Sequence, residues 1–197
     1  MKHARRVALG VTLAVVLAGI PLVAAIKVKV QDDKTFNFTG LRTYAWRLDG
    51  VEPVKILQNT DDDPEQIRKN LEPMILAAVD QELAKKGFTR VLSGPAELYL
   101  DYYLLIGPGG SSQYQGQFVG AVPAWGLPPF SMNTTSLSVY EQGSLILDVV
   151  SAKDRVIVWR ASADAKVDRT RTPAQRAAVF NDAVSRMLKK FPPRVKK

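Results

Sequence analysis

The chain has 197 residues, with 27 lysines and arginines against 19 aspartates and glutamates, a net charge of +8, and no cysteine. Because the chain has no cysteine, disulfides and thiolate metal sites are excluded. Its single histidine is His3. The length suits one domain with a short appendage.

The first 25 residues have the pattern of a secretory signal. A basic start is followed by an uncharged run rich in valine, leucine and alanine, in which Pro21 interrupts the helical pattern and Val23 and Ala25 suit signal peptidase. We therefore expect Sec-type export to the periplasm or cell envelope, with cleavage after Ala25. The alternative is an inner-membrane anchor made by uncleaved residues 7–25, whose apolar run is just long enough to span a bilayer.

Cleavage changes the charge and the available chemistry. Removing the leader leaves 24 basic against 19 acidic residues, a net charge of +5, and takes away His3. This charge is too low and too dispersed to predict a nucleic-acid partner. Without histidine or cysteine, catalytic triads, cysteine nucleophiles and imidazole zinc sites are excluded, and no phosphate-binding glycine motif is present. We expect no cofactor and no metal.

The first half of the remaining chain predicts two strands and a helix. Alternating apolar residues indicate strands at 26–30 and 42–48, and the polar stretch 49–63 indicates a loop. Asp63 and Pro64 are typical of a helix start, and an apolar stripe continues from there to a glycine cap at Gly87. Pro73 lies inside this stripe and predicts a kink.

The middle of the chain predicts a central strand followed by a long connection. Both faces of residues 96–106 are largely apolar, as in a strand with neighbours on either side. Residues 107–136 are rich in glycine, proline and serine and form a connection of unusual length.

The last third predicts a β-hairpin and a second helix. Strands at 137–150 and 156–167 place Asp148 opposite Arg160, which we interpret as a structural ion pair, and put Ile157 on the core face with Trp159. Thr172 and Gln175 form a capping box that starts the final helix.

The order β-β-α-β-β-β-α predicts an α+β domain spanning residues 26–197. Because the last three strands follow one another directly, we expect an antiparallel sheet of four to five strands with both helices packed on one face.

Three segments together resemble a known family. Residues 38–46 (FTGLRTYAW), 143–153 (GSLILDVVSAK) and 158–161 (VWRA) match its pattern in order, as does the ending KFPP at 190–193. The chain resembles the bacterial envelope family catalogued as domain of unknown function 4136. The resemblance implies export and an α+β fold, and supplies no catalytic residues. Members are commonly predicted lipoproteins, but Ile20 replaces the cysteine that would be acylated, and Arg155 and Ala161 stand where members often have glycine.

Two acids interrupt apolar strands, and these are the candidates for chemistry. If Asp101 and Asp148 act as a general acid and base, the protein is a hydrolase that cleaves envelope glycan, and this is the alternative function. The simpler interpretation is that Asp148 pairs with Arg160 and Asp101 lies near a solvated edge, so we expect no catalytic residue. The strand aromatics Tyr44, Trp46 and Trp159 are interpreted as core.

The long connection carries the candidate contact residues. A glycine- and proline-rich segment cannot easily build its own core, so its aromatic side chains are candidate anchors for an envelope protein or glycan: Tyr114, Phe118, Trp125 and Phe130. The basic C-terminus is a candidate for membrane-surface contact through Lys189, Lys190, Arg194, Lys196 and Lys197. The sequence predicts an exported, non-catalytic binding or scaffold module.

Overall fold

The computed structural model describes residues 26–47, 54–56, 63–106, 143–165, 168 and 170–192. The predictions for the leader, for the four aromatics of segment 107–136 and for Arg194, Lys196 and Lys197 lie outside these residues. The elements in chain order are β1 (Lys27–Asp32), β2 (Thr43–Trp46), β3 (Val54–Ile56), α1 (Pro64–Lys85), β4 (Thr89–Arg90), β5 (Leu98–Ile106), β6 (Ser144–Ser151), β7 (Ile157–Asp164) and α2 (Pro173–Leu188).

The predicted α+β class is confirmed, but the antiparallel sheet of four to five strands is wrong. Six strands follow one another in the order β1-β7-β6-β5-β2-β4, and β3 also pairs with β5. The pairs β1–β7, β7–β6 and β6–β5 are antiparallel, whereas β2 and β3 lie parallel to β5, and β4 lies parallel to β2. The sheet is mixed because α1 connects strands that join the same sheet, and a crossover through a helix returns the chain in the same direction.

The two helix starts follow the predicted caps. The Asp63 carboxylate accepts a hydrogen bond from the amide of Glu65 at 2.9 Å, and the capping box of Thr172 and Gln175 is present in both directions. α1 continues through Pro73 as a single 22-residue helix. Neither helix of the described part combines the length and the apolar run that crossing a bilayer requires.

The hairpin of β6 and β7 has the predicted register up to Val149, which pairs with Trp159. The next pair is Val150 with Ile157, so a bulge leaves Val158 as the extra residue. Ile157 is therefore paired on the face opposite Trp159 and lies outside the main core cluster, which corrects its predicted place. Arg155, in the connecting turn, has a φ of 57°, the left-handed region that favours glycine.

One face of the sheet and both helices form the main core. Alternate residues of β5, β6 and β7 pack with buried residues of the two helices: Ile75, Ala78, Val79 and Leu83 from α1, and Ala183, Val184, Met187 and Leu188 from α2. Phe191, just after α2, closes this core, because its ring centroid lies 5.0 Å from that of Trp159 and 5.5 Å from those of Phe38 and Phe88.

Candidate functional site

Four charged residues form a row across the sheet face that points away from the helices. The register pairs Asp101 with Asp148, and Asp148 with Arg160. Arg47 follows β2 and donates its amide to the Leu100 carbonyl at 2.9 Å, which places its side chain beside Asp101. The sheet therefore sets the charges in the order plus, minus, minus, plus.

Each carboxylate in this row has a guanidinium partner. Arg160 donates from Nε and Nη2 to the two oxygens of Asp148 at 2.6 and 2.5 Å. Arg47 binds both oxygens of Asp101, with Nε at 3.1 Å. Asp148 is 0% exposed and Asp101 is 1% exposed. The prediction that Asp101 lies near a solvated edge is therefore wrong, because Asp101 is a buried residue paired with Arg47. Two acids engaged and buried in this way are arranged as a structural network.

Within this row, the carboxyl of Asp101 has a shifted pKa. The pKa of Asp101 is raised to about 6, because the effect of burial outweighs the opposing Arg47 guanidinium and the charge of Asp148 adds to the rise. A carboxyl whose folded pKa lies above its unfolded value retains a proton that the unfolded chain releases. The stability it contributes is present below about pH 4 and is lost as pH rises toward about 6.

We therefore expect the wild type and Asp101→Asn to differ in their response to pH. Between pH 4 and 7 the free energy of unfolding of the wild type should fall relative to that of the variant by up to about 3 kcal/mol. Urea unfolding of both proteins at each pH measures this difference. The contributions of the other titrating groups largely cancel, because the two proteins share them. A wild-type-to-variant difference that stays constant over this range would show that Asp101 keeps an ordinary pKa.

Two acids on α1 bind side chains of the sheet, among them Tyr44 and Trp46, which the sequence assigned to the core. Asp80 accepts hydrogen bonds from Tyr44 Oη at 2.7 Å, Trp46 Nε1 at 2.9 Å and Arg90 Nη1 at 2.9 Å. Glu72 accepts from Tyr102 Oη at 2.6 Å. These bonds join α1 to β2, β4 and β5. Sequence reasoning missed them, although acids spaced by eight residues lie on one helix face.

The polar groups of Tyr44 and Trp46 are therefore used inside the fold. Tyr44 and Trp159 are 2% and 1% exposed, and Trp46 is half-buried. This agrees with their interpretation as core residues and leaves little ring surface for stacking on a sugar.

A small apolar pocket lies between the two helices and one end of the sheet. It has a volume of about 120 Å³ and is formed where β5 and β7 end and β6 begins. Its apolar lining consists of Leu71, Leu104, Gly143, Leu145, Ala163, Ala165, Val179, Phe180 and Ala183. Small residues at four of these positions leave the space, and the half-buried Leu71, Val179 and Phe180 border its open side.

Among the residues that the structure describes, three charged ones also line the pocket: Asp168, Arg171 and Arg176. Arg171 Nε lies 3.7 Å from Asp168 Oδ2, and Asp168 Oδ1 also accepts from the amide and hydroxyl of Thr170 at 3.0 and 2.7 Å. Arg176 is half-buried, and its Nε is fully buried without a hydrogen-bond partner in the described structure. The pocket is thus apolar inside with a net positive charge at its border.

The pocket was not predicted. Its lining comes from five elements that only tertiary contact brings together. Its sequence signal is the pair of alanines at 163 and 165, where core strands usually carry larger residues. Of the predicted candidates, Asp101, Asp148 and Arg160 meet in the charged row, while Lys189 and Lys190 are exposed after α2. In the described ranges no cluster of three or more acids could hold a metal ion.

Three solved structures are similar to this chain to different degrees. A DUF4136 family protein from Bacteroides thetaiotaomicron has a TM-score of 0.53 and 16% identity, over 85% of this chain and 96% of its own. A PDZ domain protein from Parabacteroides distasonis has a TM-score of 0.44 and 15% identity, over 87% of this chain and 36% of its own. The PelC dodecamer from Paraburkholderia phytofirmans has a TM-score of 0.41 and 9% identity, over 86% and 99%.

Sequence comparison gives the family. No curated protein matches this chain. The family model described as "Domain of unknown function (DUF4136)" matches residues 28–193, which include every strand and helix of the structure apart from the first residue of β1. This confirms the resemblance seen in the motifs around Trp46, Asp148 and Trp159. The chain therefore belongs to the DUF4136 family.

Proposed function

We propose that this protein is a non-catalytic binding module of the bacterial envelope, and that the pocket between the helices and the sheet is its ligand site. The observation that carries the proposal is the pocket itself. Protein interiors are packed as densely as organic crystals, so retained apolar space is unusual. Because the pocket is open on one side, its apolar walls stay in contact with solvent and forgo roughly 25 cal/mol for each Å² that burial would otherwise contribute.

The pocket has the composition of a ligand site. Such sites combine apolar walls with a few polar groups that fix the orientation of the ligand. Here the walls come from Leu71, Leu104 and Phe180, and the polar groups are guanidinium groups. The volume is below the roughly 300 Å³ of typical drug-sized sites, so the pocket suits part of a molecule.

Filling the pocket tests the proposal. Toluene is a neutral apolar probe that can insert part of the molecule through the open side of the pocket. It should bind the wild type saturably, as seen in the methyl NMR signals of Leu71, Leu104 and Val179. Ala165→Leu places a larger side chain at the pocket and should weaken toluene binding at least tenfold without loss of stability. Ala178→Leu makes the same change at an exposed position on α2 and should bind as the wild type does.

Two outcomes would overturn the site. Either the wild type shows no saturable response to toluene, or Ala165→Leu binds it as well as Ala178→Leu does. Urea unfolding of both variants ensures that a loss of binding is not a loss of fold.

Buried ion pairs weigh against the alternative of a carboxylate-dependent hydrolase. Its two acids would be Asp101 and Asp148, whose oxygens are held by Arg47 and Arg160 below the surface. A glycosidase needs one carboxyl free to give a proton and another free to act as base or nucleophile. The raised pKa of Asp101 is accounted for by its burial.

The leader supports a place in the envelope. The family match begins at residue 28 and β1 at Lys27, so removal after Ala25 would leave the whole described fold intact. N-terminal sequencing of protein from fractionated cells should give a start near Ile26 in the periplasmic or envelope fraction. A full-length chain in the cytosol would contradict this, and a full-length chain in the inner membrane would favour the anchor formed by residues 7–25.

The aromatics of segment 107–136 remain proposed as a second contact surface, for an envelope protein or glycan, on sequence grounds. Their composition is that of interface anchors. The exposed Lys189 and Lys190 likewise support a proposed contact with an anionic membrane surface.

A further inference from the structure

We infer that the pocket binds a free single-chain anionic amphiphile, with the end of an alkyl chain in the apolar space and a carboxylate at Arg171 and Arg176. The inference rests on the proposed function and names the class of ligand for the same site.

The size of the apolar space fits part of an alkyl chain. An apolar cavity of about 150 Å³ is sufficient for a benzene-sized molecule, so about 120 Å³ accommodates only a few methylene groups. Each methylene group buried there should strengthen binding about fourfold. The alkyl chain of the ligand would contact Leu71, Leu104 and Phe180, which come from three different elements.

The charged border fits an anionic head group. The Arg176 Nε is buried without a hydrogen-bond partner in the described part of the chain, and an unsatisfied buried donor is costly until an acceptor arrives. A guanidinium group offers parallel donors that match the two oxygens of a carboxylate. A neutral apolar ligand would leave this donor unsatisfied.

The start of α2 adds to the positive potential. Arg176 lies in the first turns of this helix, which begins at Pro173 and has no acidic residue in its first turn. The helix dipole therefore favours an anion at this end. Asp168 reduces the positive potential, because its carboxylate lies at the same border and pairs with Arg171. Replacing Asp168 by asparagine should strengthen binding of the anion severalfold.

Three ligands distinguish the contribution of the alkyl chain to binding from that of the negative charge. Octanoate, octanol and acetate are titrated into the full chain at neutral pH by calorimetry. We expect octanoate to bind about tenfold more tightly than octanol and acetate to show no binding. Arg176→Gln should remove the advantage of octanoate and leave octanol unchanged. Arg186→Gln, an exposed arginine elsewhere on α2, should change neither.

The outcomes distinguish this inference from the proposed function. If toluene binds but octanoate and octanol bind equally, or if Arg186→Gln weakens octanoate as much as Arg176→Gln, the pocket stands and the anionic ligand is wrong. If neither toluene nor octanoate binds, both are wrong. Pocket-dependent binding to phosphatidylglycerol vesicles, without a response to dispersed octanoate, would assign the site to a membrane and overturn the inference.

Discussion

Replacing Asp148 with alanine should lower the free energy of unfolding by about 3–5 kcal/mol, the cost of removing one partner of a buried ion pair. Asp148 is 0% exposed, and Arg160, which donates to both of its oxygens, is 4% exposed. The substitution takes away the carboxylate that neutralises this guanidinium at the centre of the sheet. Urea unfolding monitored by circular dichroism measures the loss.

Lys85→Ala is the matched control. Lys85 forms an ion pair with Glu82 at 2.7 Å, but its side chain is 57% exposed, so its removal should cost less than about 1 kcal/mol. The double variant Asp148→Leu with Arg160→Met removes both charges and should be more stable than Asp148→Ala. If Asp148→Ala costs no more than Lys85→Ala, the row of charges does not hold the sheet together. Toluene binding by Asp148→Ala, where folded, should be unchanged, because the charged row lies on the opposite sheet face from the pocket.

Replacing Phe191 with alanine should cost about 3–5 kcal/mol, the usual range for deleting a buried aromatic side chain. Phe191 is 3% exposed and contacts the rings of Phe38, Phe88 and Trp159, which come from separate parts of the chain. The space it leaves cannot close without moving several of these rings. Thermal and urea unfolding report the loss.

Leu92→Ala gives the reference for an apolar side chain outside the core. Leu92 is 84% exposed, and its removal should change the free energy of unfolding by less than about 0.5 kcal/mol. A loss at Phe191 no larger than at Leu92 would mean that the residues after α2 do not complete the core.

Local signals in the sequence predicted the parts of the fold that depend on local physics. The caps at Asp63 and Thr172 satisfy helix amides within three residues, so their spacing was enough to find them. β5 is long, and its apolar residues on both faces indicated a central strand. The pairing of Asp148 with Arg160 followed from the short connection between β6 and β7.

Features that depend on distant contacts were missed or wrongly predicted. β3 and β4 contain three and two residues, too few for an alternating pattern to appear. The direction of β2 relative to β5 depends on the crossover through α1 rather than on either strand's own residues. Asp101 looked like an edge residue until Arg47, 54 positions away, proved to be its partner. The pocket is the space between side chains of separate elements, so no single segment carries its pattern.

Whether the pocket admits a ligand is tested most directly by a crystal structure of the protein grown with iodobenzene. The iodine gives an anomalous signal that locates the ring without reference to the rest of the map. We expect a peak between Leu71, Leu104 and Phe180, and no peak there in Ala165→Leu. Iodine found only on the outer surface, with Phe180 or another side chain occupying the space, would contradict the claim that the pocket admits a ligand.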